Sequence, residues 1–120
     1  MQKVPHQKFV LLKCRRVFLQ YRANIFQAVL DPGDEVVIPS PYWLSYPDMV
    51  ILSGGVPVVV NTRMEDDFKV CPEALEEAVS SPPKLLILNS PSNPTGAVYS
   101  VEELYALAEV IEKTGIMVVS

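Results

Sequence analysis

The chain has 120 residues, 49% hydrophobic and 20% charged, with a formal net charge of −4. That length supports one domain with a real core, the apolar fraction excludes disorder, and no run approaches the roughly 18–20 apolar residues of a membrane span. Two distant cysteines, Cys14 and Cys71, and a single histidine, His6, exclude a disulfide framework and a metal cluster, which leaves a soluble globular protein of a reducing compartment, by default the cytoplasm.

The charge is segregated. Residues 1–22 carry six basic side chains and no acidic one; the remainder carries four basic and fourteen acidic. A nucleic-acid arm would be followed by a binding module, and none follows, so no nucleic-acid partner is expected. A transit peptide would be rich in serine, and this segment has none. The expectation is a foreign or altered N-terminal segment over residues 1–23, from a shifted reading frame or a mis-assigned start, ahead of the domain proper over 24–120.

From residue 24 a strand–helix rhythm sets in. Ile25, Phe26, Val29 and Leu30 recur at helical spacing, and Asp31-Pro32-Gly33-Asp34 closes that helix in a turn. Val36-Val37-Ile38 is a short β-branched run, read as a buried strand, and Pro39-Ser40-Pro41 breaks it. Residues 46–52 predict a helix stopped by Gly54-Gly55, read as a cap. A second strand spans 56–60, and residues 61–70 are polar and irregular. Pro72 suits the first position of a helix with Leu75, Ala78 and Val79 on one face. Residues 85–88 predict a third strand and 90–96 a loop.

The best-specified helix begins after Ser100, whose pairing with Glu103 three residues on predicts a capping box, with Tyr99 and Leu104 as a hydrophobic staple. Val101, Leu104, Tyr105, Ala108 and Ile111 predict its core-facing stripe. Gly115 ends it, and residues 116–119 make a fourth strand. Strands that are nearly all apolar and alternate with helices predict a three-layer α/β fold with a mostly parallel sheet and flanking helices. In such sheets ligands lie beyond the carboxyl ends of the strands, here the loops 39–45, 61–70 and 89–98.

Two of those loops have chemistry of interest. Trp43, the only tryptophan, follows the first strand, where it either stacks on a planar ligand or packs against a neighbouring helix. Asn93 sits between two prolines in Asn89-Ser90-Pro91-Ser92-Asn93-Pro94-Thr95-Gly96 and offers a side-chain amide that donates and accepts; the alternative is a plain Asn-Pro turn. No Walker or dinucleotide glycine loop occurs. The paired glutamates read as solvated helix faces, and Asp66-Asp67 lies in a polar loop and is not expected to touch a metal. Of the lysines beyond the basic segment, Lys69, Lys84 and Lys113, Lys84 precedes a strand and Lys113 ends a helix, and neither of these two positions is buried enough to lower a lysine pKa for imine formation.

Taken in order, Asp31-Pro32-Gly33-Asp34-Glu35-Val36-Val37, Pro41-Tyr42-Trp43 with Ser45-Tyr46-Pro47, Gly54-Gly55, and Ser90-Pro91-Ser92-Asn93-Pro94-Thr95-Gly96 closely resemble the class I aminotransferases, fold-type I pyridoxal-phosphate enzymes. The nearest likeness is to the bacterial-type aspartate or prephenate aminotransferases, over about residues 24–120. The resemblance implies the central part of the large, cofactor-binding domain. It implies an enzyme that moves an amino group between an amino acid, aspartate by preference, and a 2-oxo acid through pyridoxal 5'-phosphate, as a homodimer. By position, Trp43 resembles the aromatic residue that stacks near the cofactor ring and lines the substrate pocket. Asn93 resembles the asparagine that bonds the cofactor's phenolic oxygen and helps hold the substrate carboxylate. The family commonly has cis bonds at the positions of Ser40–Pro41 and Asn93–Pro94.

The departures also carry expectations. The family's glycine turn for phosphate falls where this chain reads Val17-Phe18-Leu19-Gln20-Tyr21-Arg22. Its Asp-x-x-Tyr motif, the lysine that carries the cofactor and the binding arginines would all follow Ser120. The chain therefore holds no catalytic residue of its own by this resemblance. The alternative to an enzyme is a catalytically inactive fragment or an interaction remnant.

Overall fold

The structure, a computed structural model, describes residues 18–79 and 83–120. Helix α1 (Phe18–Val29) leads into strand β1 (Glu35–Ser40), helix α2 (Ser45–Leu52), strand β2 (Val56–Asn61), a single 3-10 turn (Met64–Asp66), helix α3 (Pro72–Ala78), strand β3 (Leu85–Ile87), helix α4 (Val101–Thr114) and strand β4 (Met117–Val119). The four strands form one parallel sheet in the order β2-β1-β3-β4. The expected N-terminal segment lies mostly outside the described residues; residues 18–23 form the first half of α1.

Strand alternation splits the core into two layers. Val36 and Ile38 of β1, Leu85 and Ile87 of β3 and Val119 of β4 face one side, where Phe26 and Leu30 of the α1 end and Tyr46, Met49 and Val50 of α2 cover them. Val37 and Leu86 face the other, under Leu75 and Val79 around α3 and Leu107, Val110 and Ile111 of α4. Each fully buried leucine here contributes about 1.5–3 kcal/mol through removal from water. The central strands β1 and β3 are buried on both faces, as their apolar runs predict. Strand β2 is not: as an edge strand it leaves Val56 and Val59 exposed.

The turn after α1 forms as its composition predicts. The Asp31 N–H donates to Asp34 Oδ2 at 2.9 Å, and Gly33 takes a positive φ of 92°. Gly54, at φ 84°, ends α2. Gly55 does more than cap: it is buried, and a Cβ there would lie 2.9 Å from Val50 Cγ1, 3.0 Å from Leu30 Cδ1 and 3.1 Å from the Asp34 carbonyl. Its missing side chain lets α2, the end of α1 and the start of β1 close together.

Helix α4 has the predicted capping box. The Glu103 N–H donates to Ser100 Oγ at 3.2 Å and the Ser100 N–H donates to Glu103 Oε2 at 2.7 Å. Its buried face differs from the predicted stripe. Leu107, Val110 and Ile111 enter the core, whereas Val101, Leu104 and Tyr105 are exposed, Tyr105 by 71%. Of the expected staple, Tyr99 is buried and Leu104 is 40% exposed. The helix carries two apolar stripes, and packing on the sheet selects the one centred on Leu107.

Candidate functional site

The layer assignment fixes where a ligand cleft must open. After β1 the chain turns into α2 on one face of the sheet; after β3 it runs to α4 on the opposite face. Strands β1 and β3 are neighbours, so their outgoing connections diverge and leave a crevice between their carboxyl ends, the switch point at which parallel sheets bind ligands. A cleft open to solvent lies there. Ile38 and Pro39 line it from β1, and Leu88 and Asn89 from the end of β3. The aromatic rings of Tyr42, Tyr46, Phe68 and Tyr99 form much of the wall, with Ser92 and Asn93 adding polar groups.

Asn93 therefore borders the cleft, on an exposed stretch of loop. Its loop is tied internally: the Gly96 N–H donates to the Ser92 carbonyl at 2.7 Å, the Ser92 N–H to the Ala97 carbonyl at 2.9 Å and the Tyr99 N–H to Ser90 Oγ at 3.3 Å. The bonds Ser40–Pro41 and Asn93–Pro94 are cis as the resemblance implies, and Ser90–Pro91 is cis as well. Trp43 lies beside the cleft and not in its lining. It is half-buried against the α1–α2 layer and meets Tyr46 edge-on, ring centres 5.7 Å apart at 89°. Tyr46 in turn accepts a hydrogen bond from the buried Arg22, whose guanidinium carbon sits 4.9 Å over its ring. The packing reading of Trp43 thus describes its present contacts, one ring removed from the space a ligand would fill.

Two features of the cleft are not apparent from local sequence. Phe68 reaches the wall from the irregular segment, at φ 55° directly after Asp67 at φ 53°. Lys69 then bridges to Glu103 with Nζ 2.8 and 3.0 Å from its two oxygens, and the Val70 N–H donates to Tyr99 Oη at 2.9 Å. The bond to Glu103 raises the Lys69 pKa; the same bond, with the Ser100 N–H, holds Glu103 below the ordinary carboxylate value. Burial pushes the Tyr99 phenol up, so it stays neutral and accepts from Val70. The only positive trace of this in the sequence is the Phe68-Lys69 pair inside a polar stretch.

The described lysines are otherwise engaged or remote. Lys84 lies at the opposite, amino end of β3 beside Asp34 at 3.6 Å, and Lys113 is in the last turn of α4. Among the described residues no group of histidine, cysteine, aspartate and glutamate could hold a metal, and no helix is long and apolar enough to cross a membrane.

These elements make an α/β domain, a doubly wound parallel sheet with a cleft at its switch point lined by aromatic and amide side chains. The family described as "Aminotransferase class I and II" matches residues 18–120, and the chain belongs to that family. It is 59% identical over 90 residues to a probable aspartate/prephenate aminotransferase of Rickettsia conorii, covering 75% of this chain and 22% of the relative. It is 53% identical over 97 residues to an aspartate aminotransferase of Geobacillus stearothermophilus, covering 81% of this chain and 25% of the relative. The structure of aspartate aminotransferase from Thermus thermophilus with maleate superposes with a TM-score of 0.78 at 49% identity, over 82% of this chain and 26% of that one. The chain spans about a quarter of the length of the curated relatives it matches.

Proposed function

We propose that this chain contributes the cofactor-facing cleft of an aminotransferase that exchanges an amino group between an amino acid, aspartate by preference, and a 2-oxo acid. The single observation that carries the reading is the cleft at the β1/β3 switch point, bordered by Asn93 and the Tyr42-Trp43 loop in a chain of this family. Pyridoxal 5'-phosphate, when bound, supplies the electron sink for amino-group transfer. The residues present fit its ring. Aromatic side chains line the wall, and the Asn93 amide at its border would donate to the ring's phenolic oxygen or to a substrate carboxylate. Trp43 meets Tyr46 edge-on and would act on the cleft through that ring. The protein acts in the cytoplasm, as a homodimer.

A second reading rests on the lysines. Lys69 is bound to Glu103, and Lys84 and Lys113 lie away from the cleft, so among the described residues none offers an amine to a carbonyl. The 120-residue chain by itself orients the cofactor and does not turn over substrate.

Both readings are tested together. Trp43 is the only tryptophan and meets Tyr46 of the cleft wall edge-on, so its emission reports on that wall through one ring contact. Titration with pyridoxal 5'-phosphate is expected to quench it saturably, Asn93→Ala to weaken binding by about tenfold through loss of one charge-assisted hydrogen bond, and aspartate with a 2-oxo acid to show no turnover. Absence of quenching would sink the first reading; turnover would sink the second.

A further inference from the structure

We propose that Lys69 is a positioning residue of the cleft: its bridge to Glu103 clamps the segment before α3 onto the first turn of α4 and so holds Phe68 and Tyr99 in the cleft wall. The proposal rests on reading the cleft as a ligand site, and its geometry is independent of which ligand enters.

Glu103 serves two elements at once. It closes the capping box on Ser100 and takes both hydrogen bonds of the Lys69 ammonium, 34 residues away in sequence. Lys69 stands between two residues with other duties. Phe68, before it, lines the cleft; Val70, after it, is buried and donates its N–H to Tyr99 Oη, and Tyr99 also lines the cleft. One side chain therefore ties together the loops 61–70 and 89–99.

The backbone requires such a tie. Asp67 and Phe68 are consecutive non-glycine residues in the left-handed region, a conformation that persists only where surrounding contacts over-determine it and that gathers at ligand clamps. The contacts here are the Phe68 N–H to the Arg63 carbonyl at 2.9 Å, the Lys69 N–H to the Asp66 carbonyl at 3.0 Å, the Val70–Tyr99 bond and the Lys69–Glu103 bridge. Lys69, itself 15% exposed, also has Nζ 4.0 Å from Asp67 Oδ2, on a carboxylate that is 84% exposed, so the 2.8 Å bridge to Glu103 is the shorter and less exposed of its two ion pairs. Without it the turn relaxes toward ordinary φ values and Phe68 leaves the wall.

The test uses the full chain without ligand. Amide hydrogen exchange is compared for the wild type, Lys69→Met, which keeps the apolar stem, and Lys69→Arg, which keeps the charge. Lys69→Met is expected to speed exchange of the Val70 amide by about tenfold or more through local opening, with β1 and β3 amides unchanged, and Lys69→Arg to restore protection. A melting curve of Lys69→Met verifies that it is folded; should it not be, Glu103→Gln, which keeps the shape of the capping box, replaces it. Unchanged Val70 exchange in a folded variant, or Lys69→Arg as unprotected as Lys69→Met, overturns the proposal. A parallel titration with pyridoxal 5'-phosphate separates the two ideas. Weaker quenching of Trp43 in Lys69→Met, recovered in Lys69→Arg, supports the positioning role. Equal affinity in all three overturns it, and no quenching even in the wild type strikes the functional reading while the exchange result still decides the clamp.

Discussion

Gly54 and Gly55 are adjacent and have separate reasons to be glycine. At Gly54 the reason is conformation: φ is 84°, and the nearest atom to an added Cβ is 3.6 Å away. At Gly55 it is space, with two side chains and a carbonyl within 3.1 Å. Gly54→Ala is expected to cost about 1 kcal/mol from the left-handed penalty, and Gly55→Ala about 1–3 kcal/mol because a packed core and a backbone carbonyl must move. Urea midpoints of the two variants check the order. The converse applies to Asp67, whose φ of 53° suits glycine better. Asp67→Gly is expected to stabilise by roughly 0.5–1 kcal/mol, since relief of the strain exceeds the added entropy of the unfolded chain; a lower midpoint would contradict it. The sequence discloses Gly54 and the turn at Gly33, because glycine after a helix is a local signal. It does not disclose Asp67 and Phe68, because a strained non-glycine residue is set by contacts made elsewhere.

At the scale of the element, α4 shows what a sequence does and does not encode. Its start is readable because a capping box is three residues long and its bonds are local. Its buried face is not, because Val101, Leu104 and Tyr105 are as apolar as Leu107, Val110 and Ile111, and only the sheet chooses between the stripes. Trp43 and Asn93 were readable as loop residues near strand ends, while the Lys69–Glu103 bridge, which spans two elements, was not. That bridge gives the fold a pH signature. Glu103 has its pKa lowered from 4.5, chiefly by Lys69, so its stabilisation is complete above 4.5 and is lost as pH falls through the lowered value. Lys69 has its pKa raised from 10.5, so its share is complete below 10.5 and is lost as pH rises through the raised value. The clamp is therefore intact across neutral pH. Melting temperatures of the wild type are expected to fall more steeply than those of Lys69→Met on acidification below 4.5, and parallel curves would contradict the assignment. Ser100→Ala removes the other half of the box and costs about 1 kcal/mol.

Across the whole molecule, the fold class was the easiest property to read, since doubly buried strands between helices admit few arrangements. The exposed apolar surface follows from the same arrangement. Among the described residues strands β2 and β4 are the sheet edges, and Leu44, Leu52, Val101, Leu104 and Tyr105 are exposed. Open edges pair with other chains, and a contiguous apolar helix face strengthens such contacts. The chain is therefore expected to self-associate at concentrations where a closed domain of its size stays dispersed. The α4 face separates this from misfolding. Leu104 and Tyr105 are 40% and 71% exposed and lie outside both core clusters, so Leu104→Lys with Tyr105→Glu leaves the unfolding midpoint within about 0.5 kcal/mol. It also removes two large apolar side chains from the stripe. Sedimentation velocity is expected to show the variant less associated than the wild type at equal concentration. If association is unchanged while the midpoint holds, the edges of β2 and β4 carry it, and a charge placed at the exposed Val59 of β2 becomes the change that disperses the chain.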